Sequence, residues 1–174
     1  MIQLGEKIPS FKLAASDTMD LNFKTISDLD YQGKWKILFF WPKDFTFVCP
    51  TEIVGFADLH QEFKKNNTQL LGCSVDSEFV HLAWKNAHPQ LKDLPFPMLS
   101  DIKRELSASL GIIDQNAGVS QRATFIIDPQ NVVRYIEVTD IKVGRNPTET
   151  LRILHALQTD GLVPCNWKKG EKLL

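Results

Sequence analysis

Ile37-Leu38-Phe39-Phe40-Trp41-Pro42-Lys43-Asp44-Phe45-Thr46-Phe47-Val48-Cys49-Pro50-Thr51-Glu52 contains, in order, a strand, a loop and the start of a helix. Ile37 to Phe40 is an unbroken apolar strand pattern, and after Thr51 the residues Ile53, Phe56, Ala57 and Phe63 recur at helical spacing to about Asn66. Pro50 suits a first helical position, where its missing N–H costs nothing, and Glu52 suits the positive end of the helix dipole. Cys49 thereby takes a place usually held by Ser, Thr, Asp or Asn. Free N–H groups and partial positive charge there favour thiolate, the nucleophilic form of the side chain. The alternative for Cys49 is one more buried, inert cysteine, because free cysteine is among the most buried residue types.

Outward from this stretch, strands and helices alternate. Lys34 to Phe40 fits a central strand covered on both faces. Upstream, Ile8 to Leu13 and a short segment around Leu21-Asn22-Phe23, separated by the turn residues Ser16 to Asp20, predict an N-terminal hairpin over one side of the core. Downstream, His60 shares the apolar stripe of the Thr51–Asn66 helix and reads as a core histidine. Gln69 to Val75 is a second buried strand whose Cys73 reads as an inert thiol.

Asp76-Ser77 caps a helix with a core face of Phe79, Leu82, Ala83 and Ala87, leaving Trp84 off that face as a rim residue or a contact surface. Ser100 can cap the helix running through Glu105 to Leu110. Thr124–Ile127 and Val132–Val138 flank the tight turn Asp128-Pro129-Gln130-Asn131 and should pair antiparallel. Asn146, Pro147 and Glu149 open a last helix with a capping-box-like pattern, packed through Leu151, Ile153, Leu154 and Leu157. Beyond Gln158 the pattern stops, which divides the chain into a domain over 1–158 and an irregular tail over 159–174, anchored by Trp167 and carrying an exposed Cys165.

The whole chain sets further bounds. Its 174 residues, 43% apolar, suit one domain of ordinary size. A net charge of −1 with dispersed Lys and Arg gives no field for nucleic acid or anionic lipid. No apolar stretch approaches bilayer length and the N-terminus does not read as a secretion signal, so a cytoplasmic location is expected. Three cysteines without a C-x-x-C pair do not make a disulfide framework, and His60, His81, His88 and His155 form no ligand spacing with them, so neither metal nor cofactor is predicted.

Pro42-x-x-x-Thr46-x-x-Cys49 resembles the active-site signature of peroxiredoxins, and the longer string from Phe39 to Glu52 resembles their alkyl hydroperoxide reductase C branch. In that resemblance Thr46 places a hydroxyl beside the sulfur, and Pro42 fixes the loop entry and shields the sulfur from water. Gln121-Arg122-Ala123-Thr124-Phe125-Ile126-Ile127-Asp128-Pro129 is similar to the family segment whose arginine faces the reactive sulfur. A lone arginine before a strand would otherwise read as a solvated end residue. A guanidinium in the family position stays charged, stabilises the thiolate and hydrogen-bonds a peroxide oxygen as negative charge moves onto it.

Val143-Gly144-Arg145 resembles the family's second active-site arginine, which with Glu52 supports the first; a surface arginine is the other reading of Arg145. His81-Leu82-Ala83-Trp84 resembles a family segment near the active site and the subunit contacts. The tail departs from the family's common Val-Cys-Pro-x-x-Trp. Val163 stands in the cysteine place and Cys165 follows two positions later, a shift of about 7 Å that an extended chain can absorb.

Alternating elements and an antiparallel pair late in the chain indicate a three-layer α/β domain with a mixed central sheet, and the resemblance implies the thioredoxin-like (peroxiredoxin) fold. It implies a thiol peroxidase in which Cys49 reduces hydrogen peroxide and alkyl hydroperoxides. Cys165 of the partner subunit then condenses with the resulting sulfenic acid, and a thioredoxin-like or AhpD/AhpF-like dithiol reductant restores both thiols. It further implies a homodimer that can assemble as a decamer, with Val132–Val138 as an edge strand for pairing. A Gly-Gly-Leu-Gly loop and a C-terminal Tyr-Phe helix, family features tied to over-oxidation sensitivity, are absent, so robustness to excess peroxide is expected. A peroxide-sensing relay and a holdase chaperone ring are the competing functional classes.

Overall fold

The computed structural model describes residues 1–174. Its centre is β3 (Trp35–Phe40), whose side chains alternate between two cores. Ile37 and Phe39, continued by Trp41, face one cluster, while Leu38 and Phe40 face the other. This is why the strand reads as continuously apolar: both of its faces are covered.

On one side β3 pairs parallel with β4 (Thr68–Ser74), which pairs parallel with the short β5 (Met98–Ser100). On the other it pairs antiparallel with β8 (Arg122–Ile127), which pairs antiparallel with β9 (Val133–Thr139). β1 (Lys12–Ser16) and β2 (Lys24–Ser27) complete the sheet, giving the order β2-β1-β5-β4-β3-β8-β9 with β9 on an edge. A separate hairpin joins β6 (Ile113–Asp114) and β7 (Val119–Ser120).

Five helices flank the sheet: α1 (Cys49–Asp58), α2 (His60–Lys65), α3 (Glu78–Ala87), α4 (Glu105–Leu110) and α5 (Pro147–Leu157). Ile53, Phe56, Phe63, Trp84, Leu151 and Leu154 bring α1, α2, α3 and α5 onto the Phe39 face, while Leu106 and Leu110 bring α4 onto the Phe40 face. Phe39 stacks on Phe56 with ring centroids 4.2 Å apart. Full burial of such a side chain contributes about 1.5–3 kcal/mol and joins the central strand to α1.

The structure revises several expectations. The N-terminal hairpin forms later than expected, as β1 and β2, while Ile8 instead hydrogen-bonds to the Asn131 carbonyl at the β8–β9 turn. The helix expected over Thr51–Asn66 breaks at Leu59 into α1 and α2. That break takes His60 off the core stripe. It is half-buried and lines a polar recess with Lys34 and Lys64, where burial and then the Lys64 charge hold its imidazole below the ordinary value.

The face of α3 also differs. Phe79, Ala83 and Ala87 are exposed, while His81, Leu82, Trp84 and Lys85 are buried. The polar members go inward because each has a partner: His81 binds Asp44 and the Leu99 carbonyl, and Lys85 donates to the Thr18 carbonyl. Phe79 instead packs edge-to-face on Phe23, 4.8 Å away.

Asp101, not Ser100, caps α4, accepting from the Leu106 and Ser107 N–H groups, while Ser100 donates to the Asp76 carbonyl. Asn146 and Ser77 cap their helices as expected, accepting from the Thr148 and Val80 N–H groups. Glu149 forms no capping box, because both of its oxygens accept from Arg152.

Candidate active site

After β3, Trp41 donates its N–H to the Cys73 carbonyl, and the buried Pro42 begins the loop that runs to α1. Within it Phe45 adopts φ 55°, a left-handed conformation that an aromatic residue enters only when its surroundings impose it. Cys49 is the first residue of α1 and Val48 is the N-cap, one residue upstream of the expected position. Val48 already has helical dihedrals, and its carbonyl accepts from the N–H of Thr51 and of Glu52 and from the Thr51 hydroxyl. The first turn therefore closes one residue before Pro50 alone would indicate.

Cys49 is 1% exposed. Thr46 Oγ1 lies 2.9 Å from Cys49 Sγ and 3.0 Å from the Lys43 carbonyl oxygen. A hydroxyl has one proton to give. Thr46 donates to the carbonyl when it accepts from a thiol, and to the sulfur when the sulfur is an anion.

Arg122 opens β8 next to β3, so strand pairing carries its side chain to the sulfur. Its Nη1 lies 3.3 Å from Sγ and donates to Glu52 Oε2 at 2.6 Å, while Nε donates to the Ile141 carbonyl at 2.8 Å. Glu52, three residues after Cys49 on α1, turns its other oxygen to Arg145, accepting from Nε at 2.8 Å and from the backbone N–H at 2.9 Å. Arg145 Nη1 donates to the Ala123 carbonyl and to Thr124 Oγ1, and its guanidinium stands 5.7 Å from the centre of the Phe39 ring.

Cys49, Arg122, Glu52 and Arg145 are all buried, which excludes the solvated-end reading of Arg122 and the surface reading of Arg145. Two guanidinium groups and one carboxylate leave one positive charge beside the sulfur. In a low-dielectric setting that charge has its greatest effect on an anion placed against it.

A second polar group, which the sequence did not reveal, holds the loop from behind. Asp44 Oδ1 accepts from the Trp41 indole N–H at 2.7 Å, and Oδ2 lies 2.6 Å from His81 Nδ1. The Asp44 N–H donates to Asp76 Oδ2, which also accepts from Ser74 Oγ, and Ser120 Oγ donates to the Trp41 carbonyl. Burial pushes the Asp44 carboxyl up, against the His81 and Trp41 hydrogen bonds that pull it down. Periodicity carried no signal for this group, because His81 lies off the apolar pattern of α3 and reads there as a surface residue.

Trp84 is 2% exposed, so it is no surface rim residue; it packs on Trp41 and Phe45. With Phe47, Thr46, Pro50, Ala87 and His88 it lines an apolar recess of about 360 Å³ beside the loop, and Phe47 is 94% exposed.

The three cysteines are free. Cys73 is fully buried, and that burial, followed by the nearby Asp101 charge, pushes its thiol well up. Cys165 is exposed in a tail without helix or strand, whose Trp167 is buried.

A thiol at the entrance of α1, taken there by the central strand of a thioredoxin-like sheet and flanked by a hydroxyl and a guanidinium, defines a thiol-redox protein. The AhpC/TSA family model matches residues 4–136, and the chain belongs to that family. It is 49% identical to alkyl hydroperoxide reductase C of Mycolicibacterium smegmatis, over 98% of this chain and 92% of the relative. Among solved structures it is similar to Mycobacterium bovis AhpC, with a TM-score of 0.88 and 47% identity over 97% of this chain and 99% of that one. The reduced Plasmodium vivax 2-Cys peroxiredoxin gives a TM-score of 0.91 at 35% identity, covering 98% of this chain and 91% of that one.

Proposed function

We propose that this protein is a peroxidase that reduces hydrogen peroxide and alkyl hydroperoxides with Cys49. The observation that carries the reading is the contact of Cys49 Sγ with Thr46 Oγ1 at 2.9 Å and Arg122 Nη1 at 3.3 Å. The Cys49 thiolate attacks the terminal peroxide oxygen, the O–O bond breaks, and water or an alcohol leaves once the departing oxygen is protonated. Arg122 donates a hydrogen bond toward the peroxide as negative charge moves onto the leaving oxygen, and its prior fixing by Glu52 and Ile141 saves reorganisation at that moment. Thr46 turns its one proton from the Lys43 carbonyl to the sulfur or the bound peroxide. Pro42 keeps water from the sulfur. Glu52 and Arg145 act through Arg122.

Cys165 of the partner subunit then closes an intersubunit disulfide, which a thioredoxin-like or AhpD/AhpF-like dithiol protein reduces in the cytoplasm. The edge position of β9 and the apolar recess around Phe47 and Trp84 support a homodimer assembled further into a ring of five dimers.

Non-reducing electrophoresis after one equivalent of peroxide tests the cycle on wild type and on each Cys→Ser variant. A dimer band that survives Cys73→Ser and vanishes in Cys49→Ser and Cys165→Ser is expected. A band that requires Cys73 overturns the assignment of the partner thiol.

A further inference from the structure

The tail is pinned at several points although it has no regular structure. Trp167 is 4% exposed, its indole N–H donates to the Glu171 carbonyl, and its backbone N–H donates to the Pro164 carbonyl at 3.3 Å. That last bond closes a turn over Pro164-Cys165-Asn166-Trp167 in which Asn166 takes the left-handed conformation at φ 58°, one that asparagine tolerates well. Cys165 sits at the exposed apex of the turn. Further along, the Leu174 N–H donates to the Leu162 carbonyl, and Lys169 Nζ donates to Asn66 Oδ1 after α2.

The turn is tied to the domain by one charged side chain. Arg152 on α5 forms a fork with Glu149, Nε to Oε2 and Nη2 to Oε1, both at 2.7 Å. The fork fixes the guanidinium plane and leaves Nη1 to donate to the Trp167 carbonyl at 3.0 Å. Donor and plane are thus set by Glu149 before the tail arrives.

We propose that Arg152 is a positioning residue for the second half of the peroxidase cycle: its bond to the Trp167 carbonyl holds the Pro164–Trp167 turn so that the Cys165 thiol is displayed at a fixed place. The inference rests on the reading of Cys165 as the resolving cysteine. In the step concerned, the Cys165 sulfur attacks the sulfur of the Cys49 sulfenic acid. The S–S bond forms, the S–O bond breaks, and the thiol proton leaves with the sulfenic hydroxyl as water, so Cys165 is oxidised as Cys49 is reduced. A thiol on a loose tail meets that sulfur less often, and the sulfenic acid then survives long enough to meet a second peroxide.

The test is rapid-quench mass spectrometry of the full chain after one and after ten equivalents of hydrogen peroxide. It scores Cys49 sulfenic acid trapped by dimedone, the Cys49–Cys165 disulfide and Cys49 sulfinic acid in wild type, Arg152→Ala, Arg152→Lys and Cys165→Ser. Arg152→Ala should oxidise Cys49 at the wild-type rate but form the disulfide about tenfold more slowly, the loss expected for one charged hydrogen bond, and collect more sulfinic acid. Arg152→Lys, which keeps a charged donor, should recover part of the rate.

Disulfide formation in Arg152→Ala at the wild-type rate or faster, while Cys165→Ser leaves the sulfenic acid unresolved, overturns the inference alone. Equal slowing of both steps also overturns it, because that is the mark of general unfolding. Normal resolution in Cys165→Ser overturns the reading of Cys165 itself.

Discussion

Glu52→Gln tests the charge arrangement around the sulfur. The native carboxylate accepts three hydrogen bonds, from Arg122 Nη1 and from Arg145 Nε and N–H, and it is 2% exposed. A carboxamide has nearly the same shape but one acceptor oxygen, so its NH₂ must point at one of these donors. Both buried guanidinium groups then lose their only carboxylate and one of them faces a donor, and breaking a buried ion pair in this way costs about 3–5 kcal/mol. With a urea slope of about 2 kcal/mol/M, the unfolding midpoint should fall by about 1.5–2.5 M at fixed protein concentration.

Tryptophan fluorescence and far-UV circular dichroism under reducing conditions measure that midpoint. Peroxide reduction should fall as well, by about tenfold or more, because Arg122 loses the partner that aims it. A midpoint within about 0.25 M of wild type, equivalent to roughly 0.5 kcal/mol at the same slope, would refute the claim that Glu52 ties the two arginines together.

Other expectations follow from single contacts. Thr46→Val removes the hydroxyl from Cys49 Sγ without changing side-chain size, and kcat/KM for hydrogen peroxide should drop about 10²-fold while Thr46→Ser recovers most of it. Gly72→Ala would put a Cβ 2.7 Å from Trp41 Cζ3 and 3.2 Å from Phe39 Cζ. It should cost about 1–3 kcal/mol in thermal or urea unfolding and slow peroxide reduction, because Trp41 is bonded to the Asp44 loop.

Cys73 makes stability sensitive to alkali. Its folded thiol is held well above the ordinary value, so the native state keeps a proton that the unfolded chain loses above pH about 8.5. This contribution is complete below that pH and declines as pH rises toward the folded value, by at most about 1.4 kcal/mol per pH unit. Urea unfolding at pH 8 and 9.5 under reducing conditions should show the decline in wild type and a smaller one in Cys73→Val.

Much of the site was legible because its determinants are local or tied to strand order. The strand, Pro50 and the helical spacing after Thr51 located Cys49 at the start of α1, with an error of one residue that arose because Val48 can take helical dihedrals without a side-chain cap. Arg122 and Arg145 were found through their resemblance to family segments, since nothing in a lone arginine shows which strand pairing will bury it.

The Asp44–His81 contact spans 37 residues and leaves no periodic trace. For the same reason the apolar count favoured the wrong face of α3. Periodicity treats His81 and Lys85 as surface residues, whereas in the structure distant acceptors make their burial tolerable. Ser100 was the expected cap of α4, but its hydroxyl is taken by the Asp76 carbonyl beyond the end of β4, a long-range contact the sequence does not show, and Asp101 caps the helix instead.

Stoichiometric peroxide consumption by a chain with Cys49 as its single thiol, made by Cys73→Ser and Cys165→Ser, addresses the activated sulfur directly. One equivalent should disappear much faster than with free cysteine at equal concentration, leaving one added oxygen on Cys49, and a further Arg122→Ala change should slow that loss by about 10² or more. Persistence of the peroxide at the pace of an ordinary thiol, or no response to the loss of Arg122, would contradict the account.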